Sequence, residues 1–308
     1  MSRFLYVPIF FCAALAQESQ QPVFRAETGL VQVYAAIERS GEPVNNIPMS
    51  AVRVFENGVE QEVKFVGQEN VPVSLALAVD GDAPEDDVEA VTSALLNAFR
   101  SAEPVRLARF DAEADSGNPS RERLREDVRI LSLRPRTPMR DAVSLLISRM
   151  EPNSGDTKRA LIIVADAASY RSWRSREPVI RAANEKGVSI YAIHLERPVS
   201  ETGNRVVRAL RRALIWTIDL FDQDVPPPSA LHRELERLTG PTGGETCSAT
   251  DGESAVECAR RFAKEIRTQY VIAYRPKTLA QDGRKVEIRL EGYPDAEARV
   301  RAFHGTGR

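Results

Sequence analysis

Apolar and polar positions divide the chain into two stretches of different rhythm. From Phe24 to about Val71 the pattern is that of β-structure. GLVQVYAAI alternates loosely. VRVFENGVEQEVKFV reads as a hairpin, with Asn57-Gly58 supplying the two residues a type I′ turn needs. No helical spacing occurs there, so the pattern predicts a small β-sheet module over residues 23–71.

From Val73 strands and helices alternate. VSLALAVD is an unbroken apolar run and hence a buried strand. Glu85 to Arg100 follows, with Val88, Val91, Leu95 and Phe99 on one helical face. PVRLARFD, DVRILSL, RALIIVAD and VSIYAIHL read as further strands, and PMRDAVSLLISRM and EPVIRAANEKG as helices between them. SALHRELERLTG (helix), GGETCSA (strand), SAVECARRFAKEIRT (helix) and QYVIAYRP (strand) continue the series. RKVEIRLEG and ARVRAFHG close it as strands. The alternation predicts an α/β, Rossmann-like domain over residues 72–308, a mostly parallel central sheet with helices on both faces. One insertion, residues 198–228, interrupts the pattern. Its RVVRALRRALIWTIDLF is basic and amphipathic. That suits first a helix packed on its own domain, and second a partner or membrane-surface contact.

The amino terminus carries a targeting pattern. MSRF bears a positive charge, FLYVPIFFCAALA is apolar, and Ala14-Leu15-Ala16 places small residues before Gln17, so residues 1–16 read as a signal peptide. The apolar core of about 13 residues falls short of the about 20 that span a bilayer. The expected product is exported, periplasmic or extracellular, with no integral membrane segment in the mature chain. The formal net charge of −2 creates no field that would attract nucleic acid or an acidic membrane. Export also bears on the cysteines. Cys12 leaves with the signal, and Cys247 and Cys258 remain, either as a disulfide or as two separate buried thiols.

Candidate chemistry gathers at two strand ends. Ligands of parallel sheets bind at the carboxyl ends of the strands, and Asp80 and Asp166 each end a strong apolar strand. In VSLALAVDGDAPE, Asp82 can be a helix N-cap, with Glu85 completing a capping box and Glu85, Asp86 and Asp87 suiting the helix dipole. That leaves Asp80 unexplained. A second reading is a hard divalent cation held by oxygens of Asp80, Asp82, Thr137 and Asp166. A third is a haloacid dehalogenase-like, Mg2+-dependent phosphohydrolase, with Asp80 as nucleophile and Asp82 as general acid. That chemistry also needs a lysine and a hydroxyl at strand ends. Thr137 instead precedes a helix, and Lys158 has no evident strand-end placement. His194, His232 and His304 lie far apart without metal-ligand spacing and read as ordinary residues. Neither Gly-x-Ser-x-Gly nor Gly-x-Gly-x-x-Gly after the first strand occurs, and TGPTGG reads as a helix stop.

FRAETGLVQVYAAI, VRVFENGVEQEVKFVGQENVPVSLALAVD, RTPMRDAV, RALIIVADAAS, LERLTGPTGGETC, EIRTQYVIAYRP and DGRKVEIRL, in that order, resemble a von Willebrand factor type A (VWA) domain protein, of the exported VWFA-related type of acidobacterial genomes. The resemblance covers nearly all of the mature chain. It implies an adhesion site of the pattern Asp-x-Ser-x-Ser, then Thr, then Asp. Such a site holds Mg2+ or Mn2+ and leaves one position for an acidic residue of a protein partner. Asp80 matches the first Asp, Thr137 the Thr in a loop that is normally Gly-Thr-x-x-x-Asp-Ala, and Asp166 the later Asp. Asp82 and Pro84 stand where the two Ser residues belong. Pro84 brings no side-chain oxygen, and Asp82 adds a third carboxylate that would repel an acidic partner. The resemblance thus implies a secreted, non-enzymatic protein-binding, adhesion or scaffold module. Its metal-ion-dependent adhesion site would be degenerate, built from Asp80, Asp82, Thr137 and Asp166.

Overall fold

Two sheets of opposite construction make up the molecule. The computed structural model describes residues 30–68, 71–81, 83–99, 103–110, 128–131, 133–134, 136–150, 157–166, 175–196, 228–278 and 285–300. The expected signal peptide, Asp82, His304 and nearly all of the 198–228 insertion lie outside them.

The parallel sheet comprises β5 (Val73–Asp80), β6 (Val105–Phe110), β7 (Val128–Ile130), β8 (Lys158–Asp166), β9 (Val188–Leu195) and β10 (Thr246–Ala249). Its spatial order is β10-β9-β8-β5-β6-β7, and each neighbouring pair is parallel. Every residue of β5 and β9 is buried, which is why these strands are unbroken apolar runs. Alternate residues feed two cores. Leu75, Leu77 and Val79 pack beneath α1 (Glu85–Ala98) and α5 (Gly252–Thr268). Ala76 and Ala78 pack beneath α2 (Met139–Arg149), α3 (Arg176–Lys186) and α4 (Pro228–Thr239). The layers are therefore helix, sheet, helix. Strand order reverses between β5 and β8, and this is the topological switch point.

The second sheet is antiparallel and is assembled from both ends of the described chain. β1 (Val31–Arg39), β2 (Glu42–Pro43), β3 (Val52–Glu56) and β4 (Val59–Gly67) come from its start. β11 (Tyr270–Arg275), β12 (Val286–Leu290) and β13 (Glu297–Val300) come from its end. The order is β12-β3-β4-β11-β1-β13, with β2 on β1. Edge strands β12 and β13 approach one another, so the sheet curls into a half-barrel around Val33, Ile37, Val54, Tyr270, Ile272 and Tyr274. The predicted turn is present: Asn57 and Gly58 have φ of 50° and 80°, as type I′ geometry demands.

This topology corrects one expected boundary. The closing strands do not extend the 72–308 domain, because β11 pairs with β4 and β1, β12 with β3, and β13 with β1. The physical reason is edge satisfaction. β4 and β1 present backbone donors and acceptors that β11 fills on both sides. The α/β domain thus ends with α5 and sits as an insertion within the half-barrel.

A buried polar seam joins the two sheets. The Arg299 guanidinium of β13 donates to Glu265 of α5 at 2.7 Å and lies 3.1 Å from Glu38 of β1 and 3.2 Å from Glu245. Tyr191 of β9 donates to Glu265 at 2.8 Å and accepts from Gln269 at 2.9 Å. Burial pushes the Glu265 carboxyl up to about 7, against the opposing pull of Arg299.

Candidate functional site

Asp80 ends β5 at the switch point and has no solvent-exposed surface. Its Oδ2 accepts the backbone N–H of Asp166 at 3.1 Å, which fixes the ends of β5 and β8 together. Gly81 N–H donates to Phe110 O at 2.7 Å, tying the following turn to β6. By the alternation of β5, Asp80 lies on the side of Ala76 and Ala78, beneath α2. A helix that returns from β7 to β8 starts at the carboxyl edge, so Thr137, two residues before α2, enters at the same edge. Thr137 Oγ1 donates to Arg134 O at 2.7 Å, and a hydroxyl that donates once keeps its lone pairs for a cation. Asp80, Thr137 and Asp166 are thus gathered at one edge, while Asp82 lies outside the described residues.

Two features of this edge differ from the sequence expectation. The residue at the cap position of α1 is Pro84, which makes no side-chain hydrogen bond, and the Asp82 expected there lies outside the described residues. Proline fixes the entry to the helix and has no side-chain oxygen to offer its N–H groups, although its carbonyl accepts from Val88 N–H at 3.1 Å. Glu85, Asp86 and Asp87 occupy the first turn, where the helix dipole favours them. A capping box is present on α5, where Asp251 accepts from Ser254 N–H at 2.8 Å. Arg136, where the resembled loop has glycine, adopts φ of 55°, a left-handed conformation that suits glycine and strains arginine.

The lysine required by the phosphohydrolase reading is at the wrong end. Lys158 begins β8, and Asp166, which meets Asp80, ends it. The two are separated by about 26 Å of strand at 3.3 Å per residue. Lys158 Nζ instead donates to the carbonyls of Arg267 and Gln269, at 2.9 and 3.0 Å.

A second cluster lies farther along the same edge, and spacing in sequence did not reveal it. His194, the penultimate residue of β9, lies on the α4 side and is fully buried. His232 of α4 meets it, with ring centroids 5.6 Å apart. Glu196 Oε1 is 3.3 Å from His194 Nδ1. The reading of these two histidines as unrelated residues is therefore corrected: β9 and α4 pack together and bring them into contact. Among the described residues one other carboxylate group, Glu38, Glu245 and Glu265, lies close enough to surround an ion, but the Arg299 guanidinium already fills it. Cys247 and Cys258 are joined by a disulfide that ties β10 to α5, with Cα atoms 6.0 Å apart.

A six-stranded parallel sheet of order 3-2-1-4-5-6, with carboxylates at its switch point, defines a doubly wound α/β protein. Among solved structures the chain is similar to a von Willebrand factor type A protein from Catenulispora acidiphila, at 7% identity and a TM-score of 0.41, covering 91% of this chain and 76% of that one. It is also similar to proximal thread matrix protein 1 from the mussel byssus, at 9% identity and a TM-score of 0.42, covering 69% of this chain and 51% of that one. No protein-family model matches the sequence, and no curated protein does.

Proposed function

We propose that the protein is an exported, non-enzymatic binding or scaffold module of the VWA type, and that a protein partner approaches the carboxyl edge around Asp80, Thr137 and Asp166. The observation that carries this reading is the pairing of Asp80 with Asp166 at the switch point, on the side where Thr137 leads into α2. Ligands of open parallel sheets bind there. The oxygen donors suit a hard cation, Mg2+ or Mn2+, with Asp80, Thr137, Asp166 and Asp82 holding it and water completing the octahedron. Such an ion would supply a positive centre for an acidic residue of the partner. Pro84, without a side-chain oxygen, keeps the donor set smaller than the resembled pattern.

Two observations support the remainder of the reading. The Cys247–Cys258 disulfide suits an oxidising, exported setting. The remote position of Lys158 removes a cation that phosphoryl chemistry at Asp80 would need. Among the described residues no helix is long and apolar enough to cross a membrane.

Calorimetric titration with Mg2+, Mn2+ and Ca2+ tests the site. Saturable binding at micromolar to low millimolar concentration, lost in Asp80→Asn, is expected. An intact, folded protein that takes up none of the three ions would sink the metal reading and leave the edge a metal-free surface.

A further inference from the structure

We propose that His194, Glu196 and His232 form a transition-metal site that takes Zn2+ and leaves a fourth position open to water. The proposal does not rest on the reading of the Asp80 edge. One ligand atom from each of the three residues falls within 4.8 Å of the other two. Two imidazoles and one carboxylate are a borderline-soft donor set that suits zinc and, unlike an all-oxygen set, does not suit Mg2+. Ligand atoms around a tetrahedral zinc are separated by roughly 3.4 Å, since each bond is about 2.0–2.2 Å long. A small closure of this cluster reaches that spacing.

His194 points independently to a ligand. It has no exposed surface, and among the described residues neither ring nitrogen finds a hydrogen bond of good geometry. Its Nδ1, 3.3 Å from Glu196 Oε1, is out of alignment for one. A buried imidazole normally satisfies both nitrogens, because leaving a polar atom dry and unbonded costs about 1–3 kcal/mol. A metal bond at one nitrogen relieves that cost.

The surroundings also resemble support for a metal. The Ser248 hydroxyl donates to Glu196 Oε1 at 2.6 Å, which orients that carboxylate, and its oxygen lies 3.1 Å from His232 Nδ1, the ring nitrogen that turns toward the metal. His232 Nε2 lies 3.4 Å from Glu236 Oε1, one helical turn along α4. A carboxylate on the far nitrogen is the partner that fixes the ring of a ligating histidine. Three elements converge on the cluster. His194 and Glu196 come from the end of β9, His232 from α4, and Ser248 from β10, whose strand is held to α5 by the disulfide.

The test uses untagged protein freed of metal with a chelator and titrated with Zn2+ against a chromogenic competitor. One equivalent should bind, and Co2+ in its place should give the intense visible bands of a tetrahedral site. His232→Ala, a partly exposed position that leaves the buried ring in place, should weaken Zn2+ binding at least about 100-fold, and Glu196→Gln at least about 10-fold. His304→Ala and Asp80→Asn should leave it unchanged. Loss in Asp80→Asn with retention in His232→Ala would overturn the assignment, as would a wild-type protein that takes no zinc.

Discussion

The two sheets differ in how their neighbours are chosen. In the parallel sheet, neighbours are linked by single crossovers or meet at the switch point, and alternate residues on β5 feed two cores. In the half-barrel, β11 lies between strands from the other end of the described chain, and Tyr270 donates to Val44 O across a separation of 226 residues. The first arrangement follows from local pattern. The second follows from unsatisfied edges. Each sheet should therefore fail in its own way.

The sharpest break is expected in the parallel sheet at Gly244. A Cβ there would lie 1.9 Å from Ile190 O, a backbone atom that cannot swing aside. Gly244→Ala should lower stability by about 3 kcal/mol, at the upper end of overpacking costs, as read by chemical denaturation. Gly244 has no positive φ, so the cost is one of space alone.

Next in size is an effect at the seam. The Glu265 carboxyl is raised in the folded state to about 7, from an ordinary 4.5. A raised folded value means that the contribution is fully present below about pH 4.5 and is lost as pH rises through about 7. Glu265→Gln should flatten that decline, by an amount on the order of 2–3 kcal/mol between the two limits. Denaturant midpoints measured from pH 4 to 8 would check it, and an unchanged slope in the variant would remove Glu265 as the cause.

The smallest effect belongs to the half-barrel. Gly58 has φ of 80° and open space around its Cα, so a methyl group there meets only a conformational cost. Gly58→Ala should destabilise by about 1 kcal/mol. Urea unfolding of this variant beside Gly244→Ala separates a glycine needed for its dihedral from one needed for its size.

What could be read in the sequence was what is locally determined. Asn57-Gly58 named its own turn, and VSLALAVD and RALIIVAD named buried strands whose final residues meet at the switch point. Gly187 closes α3 in the left-handed conformation, as a glycine at a helix end does. What escaped depends on distant packing. Nothing in QYVIAYRP distinguishes a strand joining the parallel sheet from one joining β4 and β1, because both read as apolar runs. His194 and His232 lack motif spacing because they come from different layers of the fold. Pro84 was visible, but the competition between proline and Asp82 for the cap is decided by where the helix begins.

The meeting of both chain ends in one sheet also orders assembly in time. β1 and β4 come early in the polypeptide, yet their partner β11 follows only after the whole α/β domain. Closing so long a loop in an unfolded chain is entropically costly and kinetically slow. The α/β domain removes the obstacle. It begins at Val73 and ends at Thr268, and its folding brings the flanking strands together, with Gly67 opposite Val271. A separation of some 200 residues in sequence becomes a gap of a few residues in space. The inserted domain thus acts as a splint, so the half-barrel is expected to fold last and to be the first part released when the α/β domain loosens.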